Sequence, residues 1–129
     1  MNAQKVNIVK RIAREVYDSL GSGHQEVVYD RAMQVGLRLA KIKYESQKVV
    51  ELKYKDHHVG EGYPDIVINF GKDKLVLELK AVGGNLGPAE EQQIKTYMKI
   101  LRIRNALLIN FQAPKKEGKS KIEFKDVDL

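Results

Sequence analysis

The sequence predicts one α/β domain over residues 1–129, a mixed β-sheet flanked by helices. Two observations predict this class. Apolar residues recur at helical spacing in three segments, and they alternate with polar residues in several shorter segments. In chain order the segments read α-α-β-β-β-β-α-β-β, an order typical of a mixed sheet with helices packed on it. The length of 129 residues suits a single domain and leaves no room for a second.

Three segments carry the apolar stripe of an amphipathic helix. The first ends at Gly21-Ser22-Gly23, because glycine readily terminates a helix. The third begins at Pro88, which suits a first helical turn, and the acidic Glu90 and Glu91 suit its positively polarised end. The stripes consist of Val9, Ile12, Ala13, Val16 and Leu20, then Val28, Ala32, Val35 and Leu39, and then Ile94, Tyr97, Met98 and Leu101.

Shorter segments have the composition of strands. Residues 48–54 alternate between polar and apolar, and a polar turn at 55–58 leads into a returning strand at 59–63. A buried strand is predicted at 106–111, and a short basic strand at 119–124 closes the chain.

The clearest unit is a hairpin formed by residues 65–69 (DIVIN) and 74–80 (KLVLELK). Residues 70–73, Phe-Gly-Lys-Asp, supply a good hairpin connection. With the turn centred in this connection, facing residues have numbers that sum to 143, so Ile66 faces Leu77. That register gathers the isoleucines and leucines on one face of the hairpin.

The same register places Asp65 directly opposite Glu78. Like charges in facing positions of a strand pair repel each other, so this arrangement needs an explanation. Lys80 follows Glu78 by two residues and therefore lies on the same face. Two interpretations stay open. One is an ion pair of Lys80 with either acid on a solvated face, which contributes little. The other is a Mg²⁺ or Mn²⁺ site, in which the two carboxylates and the Leu79 carbonyl supply oxygen ligands beside Lys80.

Two motifs carry a resemblance to a known family. Pro64-Asp65, twelve intervening residues and Glu78-Leu79-Lys80 form one motif, and Gly23 to Tyr29 reads G-x-x-E-x-x-Y. In this combination the chain resembles the small GxxExxY proteins, a branch of the PD-(D/E)XK nuclease superfamily, from about Val6 to Phe124. The resemblance implies a restriction-endonuclease-like core and a metal-dependent nuclease that hydrolyses phosphodiester bonds, on DNA more than on RNA.

The resemblance also implies the site residues. An acid on the first core helix and the two motif acids would hold Mg²⁺ or Mn²⁺, and the motif lysine would orient the attacking water. A glutamine on the following helix would border the site, and two tyrosines either support it or only pack. In this chain the implied metal ligands are Glu26, Asp65, Glu78 and the Leu79 carbonyl, the lysine is Lys80, the glutamine is Gln93, and the tyrosines are Tyr29 and Tyr97.

Charge and composition narrow the function classes. Lys and Arg outnumber Asp and Glu by 23 to 17, so the net charge of +6 favours an anionic partner. Lys95, Lys99 and Arg102 recur at helical spacing and are candidates for phosphate contacts, although a solvated helix face is the simpler explanation of any single cluster. The chain has no cysteine, which excludes a disulfide scaffold, a thiolate metal site and a cysteine nucleophile.

The expected location and partners follow from the same patterns. The N-terminal segment is charged and lacks an uninterrupted apolar run, so we expect no signal peptide, no membrane-spanning helix and a cytoplasmic protein. Three functions stay open: an active nuclease, a catalytically silent module that binds nucleic acid or protein, and a nuclease subunit that needs a partner. A homodimer is expected by analogy, with contacts through the first helices.

Overall fold

The computed structural model describes residues 2–129. Within these residues the chain forms three helices and seven strands. The helices are α1 (Ala3–Leu20), α2 (Glu26–Leu39) and α3 (Pro88–Leu101). The strands are β1 (Lys43–Ser46), β2 (Val50–Tyr54), β3 (His57–Gly62), β4 (Ile66–Asn69), β5 (Lys74–Lys80), β6 (Asn105–Phe111) and β7 (Ile122–Asp128).

Five strands form one mixed sheet in the order β1-β4-β5-β6-β7. The β4–β5 hairpin is antiparallel and has the predicted register, with Ile66 opposite Leu77 and Ile68 opposite Leu75. β5 and β6 are parallel, and α3 makes the crossover that two parallel neighbours require. β7 returns antiparallel to β6 at one edge. The predicted class, a mixed sheet flanked by helices, is confirmed.

The two faces of the sheet have separate apolar cores. Leu75, Leu77 and Leu79 of β5 point to one face, where α1 and α2 cover them. Val76 points to the other face and packs beneath α3. This arrangement follows from the alternation of side chains along a strand. α1 and α2 approach closely at Gly36, where a Cβ atom would lie only 2.5 Å from Cγ2 of Ile12.

One strand was not predicted. β1 has the sequence KYES, which lacks an apolar run, and only Tyr44 is half-buried. It forms because the edge of β4 offers unpaired backbone groups, which it pairs with in antiparallel register. The predicted order of four strands before the third helix is therefore one strand short. The last strand also runs later than predicted, from Ile122 to Asp128.

β2 and β3 form a hairpin separate from the main sheet. Its tight turn consists of Lys55 and Asp56, both with positive φ angles (48° and 64°), as the common two-residue hairpin turn requires. The hairpin leans on α3 through β2. Among residues 2–129, no helix combines the length and apolar character needed to cross a membrane.

Candidate active site

Asp65 and Glu78 interlock where the β4–β5 ladder ends. Asp65 directly precedes β4, and its backbone N–H donates to Oε1 of Glu78 (2.9 Å). In return, the backbone N–H of Leu79 donates to Oδ2 of Asp65 (2.8 Å). Carboxylate oxygens thus accept the hydrogen bonds that backbone carbonyls would accept if the two strands continued to pair. The predicted opposition of the two acids holds, and each carboxyl group is fixed in position by a backbone group of the facing segment.

Both carboxyl groups are poorly hydrated. Glu78 is only 5% exposed. Burial raises its pKa to about 8, and the charge of Asp65 contributes to that rise. Burial also raises the pKa of Asp65 to about 6, against the hydrogen bond from the Leu79 backbone, which lowers it. Such shifts are typical of functional sites, because a structural core seldom retains carboxyl groups in this state.

Lys80 lies on the same face of β5 as Glu78, with its side chain half-buried. Its positive charge lowers the pKa values of Glu26, Asp65 and Glu78, although burial raises each of them more strongly. The described residues include no salt-bridge partner for Lys80. The simple ion-pair interpretation is therefore not what the structure shows.

α2 supplies acids from the other side of the strand end. Glu26 is the first residue of α2 and its side chain is exposed, yet its charge contributes to the raised pKa values of Asp65 and Glu78. Asp30 follows one helical turn later and raises the pKa of Asp65 as well. The amide of Gln34 donates to Oδ1 of Asp30 (2.7 Å) and orients it. We did not predict Asp30; its i+4 spacing from Glu26 is the signal that could have found it.

Tyr29 is buried in the core rather than exposed to the carboxyl groups. Its ring stacks on Phe111, with centroids 4.5 Å apart and an interplanar angle of 1°. Its hydroxyl donates to the Gly21 carbonyl (2.7 Å) and accepts from the His24 backbone N–H (3.3 Å). Tyr29 therefore holds the turn between α1 and α2, which leads directly into Glu26.

α3 brings Tyr97 to the site and leaves Gln93 at the surface. Tyr97 is buried against Gly62, where a Cβ atom would lie 2.4 Å from Cε1 of the ring, so only glycine fits. Burial raises the pKa of Tyr97, and the charge of Glu78 adds to the rise. Gln93 is exposed, and no hydrogen bond joins it to Asp65 or Glu78 in the described part of the chain.

A buried polar network anchors the loop between β5 and α3. The side chain of Asn110 accepts from the Val82 N–H (3.1 Å) and donates to the Gly84 carbonyl (3.1 Å). The carboxylate of Glu123 accepts from the Leu86 N–H at 3.0 Å. Asn110 is fully buried. We did not predict this network, although an asparagine inside the apolar run of β6 is a signal for it.

The predicted basic residues of α3 lie at different distances from this site along the helix. α3 begins next to the strand end that carries Lys80 and runs back over the sheet. Lys95 contacts Glu91 (3.5 Å), while Lys99 is exposed. Arg102 lies beyond the last turn, at the opposite end of the sheet, near Lys74. The three residues therefore do not form one patch around the carboxyl groups.

The donor set suits a hard divalent cation. Asp65 and Glu78 each use one oxygen for a backbone hydrogen bond, which leaves the other oxygen available. The side chain of Leu79 is buried in the core, so the backbone carbonyl is the only group it offers. Within residues 2–129, no three His, Cys, Asp or Glu side chains are gathered into a ready-made metal-binding cluster.

The structure is therefore an α/β domain with a mixed sheet, and two paired carboxyl groups lie at the end of its central hairpin. The chain matches the PD-(D/E)XK nuclease superfamily over residues 3–122. It therefore belongs to the PD-(D/E)XK nuclease superfamily, as the sequence motifs predicted. Its membership in the GxxExxY branch stays a prediction. Comparison with curated proteins finds no match.

Two solved structures are similar to this chain at low sequence identity. The crystal structure of SSO0001 is 14% identical, with a TM-score of 0.58 over 78% of this chain and 48% of that one. The chain thus spans about half the length of that protein. Hjc of Archaeoglobus fulgidus, described as a Holliday junction resolvase from an archaeal hyperthermophile, is 20% identical over 76% of this chain and 86% of its own, with a TM-score of 0.40.

Proposed function

We propose that this protein is a metal-dependent nuclease that hydrolyses phosphodiester bonds of nucleic acid, with DNA preferred over RNA. The observation that carries the proposal is the pair of interlocked, poorly hydrated carboxyl groups of Asp65 and Glu78 with Lys80 on the same face. A domain that served only as a scaffold would gain nothing from holding two acids in this state. Membership in the nuclease superfamily supports the same activity.

The proposed cofactor is Mg²⁺ or Mn²⁺. Asp65, Glu78 and Glu26 would hold it, with the Leu79 carbonyl as a further oxygen ligand. When bound, such a cation lowers the pKa of a coordinated water and neutralises charge on a phosphate. Because burial raises the pKa values of the two central carboxyl groups, binding must displace protons and should strengthen as the pH rises.

Each side chain has a role in this proposal. Lys80 Nζ orients the attacking water and stabilises the negative charge that develops on the phosphate. Asp30 adds negative charge next to Asp65 and so favours a cation there. Gln93, one turn before Tyr97 on α3, would reach a bound substrate rather than the carboxyl groups. Tyr29 and Tyr97 position the elements around the site.

A catalytically silent binding module is the second candidate. Its support is that Glu26 stays exposed and that the described residues hold no assembled ligand cluster. In that case Glu78, with its pKa raised to about 8, would stay largely protonated near neutral pH, Asp65, with its pKa at about 6, would be largely ionised, and the basic surface alone would bind the partner.

Cleavage of defined substrates separates these candidates. Labelled linear duplex, single-stranded, nicked and branched DNA, and an RNA duplex, are incubated with Mg²⁺, Mn²⁺ or EDTA. We expect cleavage with either metal, none in EDTA, and none with Asp65→Asn. Asp56→Asn is the matched control, because Asp56 lies in the exposed β2–β3 turn and asparagine tolerates its positive φ. Cleavage by the Asp65→Asn variant would contradict the proposed site.

Dimerisation also stays a prediction. Leu20, Val35 and Leu39 are exposed on α1 and α2, at the surface where the contact is expected. Light scattering at several protein concentrations, with Leu39→Glu as the variant, measures the oligomeric state. A single monomeric mass at all concentrations would exclude the dimer.

A further inference from the structure

A second charged feature lies at the end of the sheet opposite the carboxyl groups. Here a cleft of about 460 Å³ opens between the end of α3 and the start of β5, and a neighbouring cleft of about 320 Å³ shares Lys74, Leu101 and Ile103 with it. We refer to the joined space as the basic cleft, after the cations that line it. These are Lys43, Lys48, Lys72, Lys74, Arg102 and Arg104.

Most of the positive charge of the basic cleft is not compensated. Of its two acids, Asp73 pairs with Lys5 (3.1 Å), which lies outside the cleft, and Glu45 pairs with Lys48 (3.1 Å), one of the lining cations. Within residues 2–129, five of the six cations of the cleft form no salt bridge, and Lys48 alone is paired. Like charges held close together repel one another, so a bound polyanion would relieve this repulsion.

Arg102 occupies a position that favours glycine. It caps the C-terminus of α3 in the left-handed conformation, with φ 59° and ψ 43°. Glycine is the usual residue there, because a side chain in this conformation costs about 1 kcal/mol. Proximity to the negative end of the helix dipole offsets part of that cost. The side chain nevertheless stays exposed at the cleft instead of bonding to a neighbouring acid.

The basic cleft and the carboxyl site share one face of the sheet. Lys74, Val76, Glu78 and Lys80 alternate along β5 onto the face that α3 covers. At about 3.3 Å per residue, Lys74 and Glu78 lie roughly 13 Å apart, and Lys74 and Lys80 roughly 20 Å apart. Along a duplex, with a rise of about 3.4 Å per base pair, these separations correspond to about four to six base pairs.

We propose that the basic cleft binds the sugar-phosphate backbone of a DNA duplex about four to six base pairs from the phosphate at the carboxyl site. The inference rests on the proposed nuclease function, because the spacing is counted from the phosphate that the carboxyl site would cleave. The cleft is a separate binding site that takes no part in the reaction. Its contacts are to phosphates, so it fixes the position of the substrate without reading the base sequence.

The test uses a variant that removes charge without weakening the fold. Arg102→Gly places the favoured residue at the left-handed position, so this variant should unfold at the same or a higher temperature. It is combined with Arg104→Ala, since the Arg104 side chain is exposed. The matched control is Arg11→Ala with Arg31→Ala, which removes the same charge from exposed positions on the helices of the other face.

Affinity for a 20-base-pair fluorescent duplex is measured in EDTA, which prevents cleavage, at several salt concentrations. We expect the cleft variant to bind at least about tenfold more weakly, and its slope of log affinity against log salt to fall by about 1.8, or about 0.9 for each lost phosphate contact. The Arg11/Arg31 control should keep both values. An equal loss in cleft variant and control, or no duplex binding by the wild type, would overturn the proposal.

Two further measurements keep the inference separate from the proposed nuclease function. Polyglutamate of matched charge is tested as a competitor, and competition as strong as that of the duplex would mean that the cleft takes an acidic protein instead. Cleavage is assayed separately in Mg²⁺ and Mn²⁺. If the cleft variant binds the duplex as tightly as the wild type and DNA is cleaved, only the proposed role of the cleft is contradicted. If binding depends on the cleft but no DNA is cleaved, only the proposed nuclease function is contradicted.

Discussion

The two faces of β5 differ in what they do, although they belong to one strand of seven residues. The face toward α1 and α2 carries Leu75, Leu77 and Leu79, all almost fully buried among apolar residues. The face toward α3 begins with Lys74, becomes apolar at Val76, and ends in a buried glutamate and a half-buried lysine. One face therefore stabilises the fold, and the other carries the proposed site.

The difference shows how a small domain can combine a stable core with a candidate functional site. Because successive side chains point in opposite directions, the leucines of β5 lie directly behind Glu78 and keep its backbone rigid. The acids can then be held in an unfavourable, poorly hydrated state, since the opposite face supplies the compensating burial. The two faces should consequently respond to mutation in opposite ways.

The largest effect is expected from a change on the site face. Lys80→Ala should lower kcat for DNA cleavage by about 10²- to 10³-fold, because it removes a preformed positive charge from the developing negative charge. Its melting temperature should stay close to that of the wild type. Single-turnover kinetics and calorimetry measure the two quantities. A large drop in melting temperature together with the loss of activity would mean that Lys80 stabilises the fold rather than acting in the reaction.

A change on the core face should lower stability strongly and change kcat little. Leu77→Ala should lower the free energy of unfolding by about 2–5 kcal/mol, because it leaves a cavity in a core that is fully closed. Urea unfolding measures this cost. At low temperature, where the variant stays folded, kcat should be within a fewfold of wild type. A large loss of kcat in the folded variant would show that the core face also tunes the site.

A smaller effect is expected where the site face meets its loop. Asn110→Ala should cost about 1–3 kcal/mol, because it removes a fully buried amide that accepts from the Val82 N–H and donates to the Gly84 carbonyl. The amides of Val82 and Leu86 should exchange faster with deuterium. Asn105→Ala, at the other end of β6, is the control and should leave those amides protected. Equal exchange of these amides in both variants would contradict a role of Asn110 in anchoring the loop.

The last expected effect is a dependence of stability on pH. The folded pKa values of Asp65 and Glu78 are raised to about 6 and about 8, so their contribution to stability is complete below pH 4 and is lost as the pH rises through these values. Without metal, the melting temperature should fall between pH 5 and pH 9, with most of the fall complete by about pH 8. Glu78→Gln should reduce the fall, and Mg²⁺ should oppose it at the higher pH. A melting temperature that rises over this range would contradict the burial of both acids.

Much of the hairpin could be predicted because its information is local. The register of Ile66 against Leu77, the opposition of Asp65 and Glu78, and the position of Lys80 follow from a period of two and one tight turn. β1 escaped prediction because its four residues have no strand pattern of their own and depend on the edge of β4. Asp30 escaped because nothing in its own segment shows that α2 begins near the hairpin.

The sequence by itself therefore determined the class of fold, the central hairpin and the pair of acids, since short-range alternation decides which face each residue of a strand occupies. Only the tertiary structure decided what surrounds that pair. It brought the start of α2 to the hairpin end, anchored the loop before α3 on Asn110 and Glu123, and separated Arg102 from Lys80. These contacts join residues far apart in the chain, and they form because helices and strands must bury their apolar faces together.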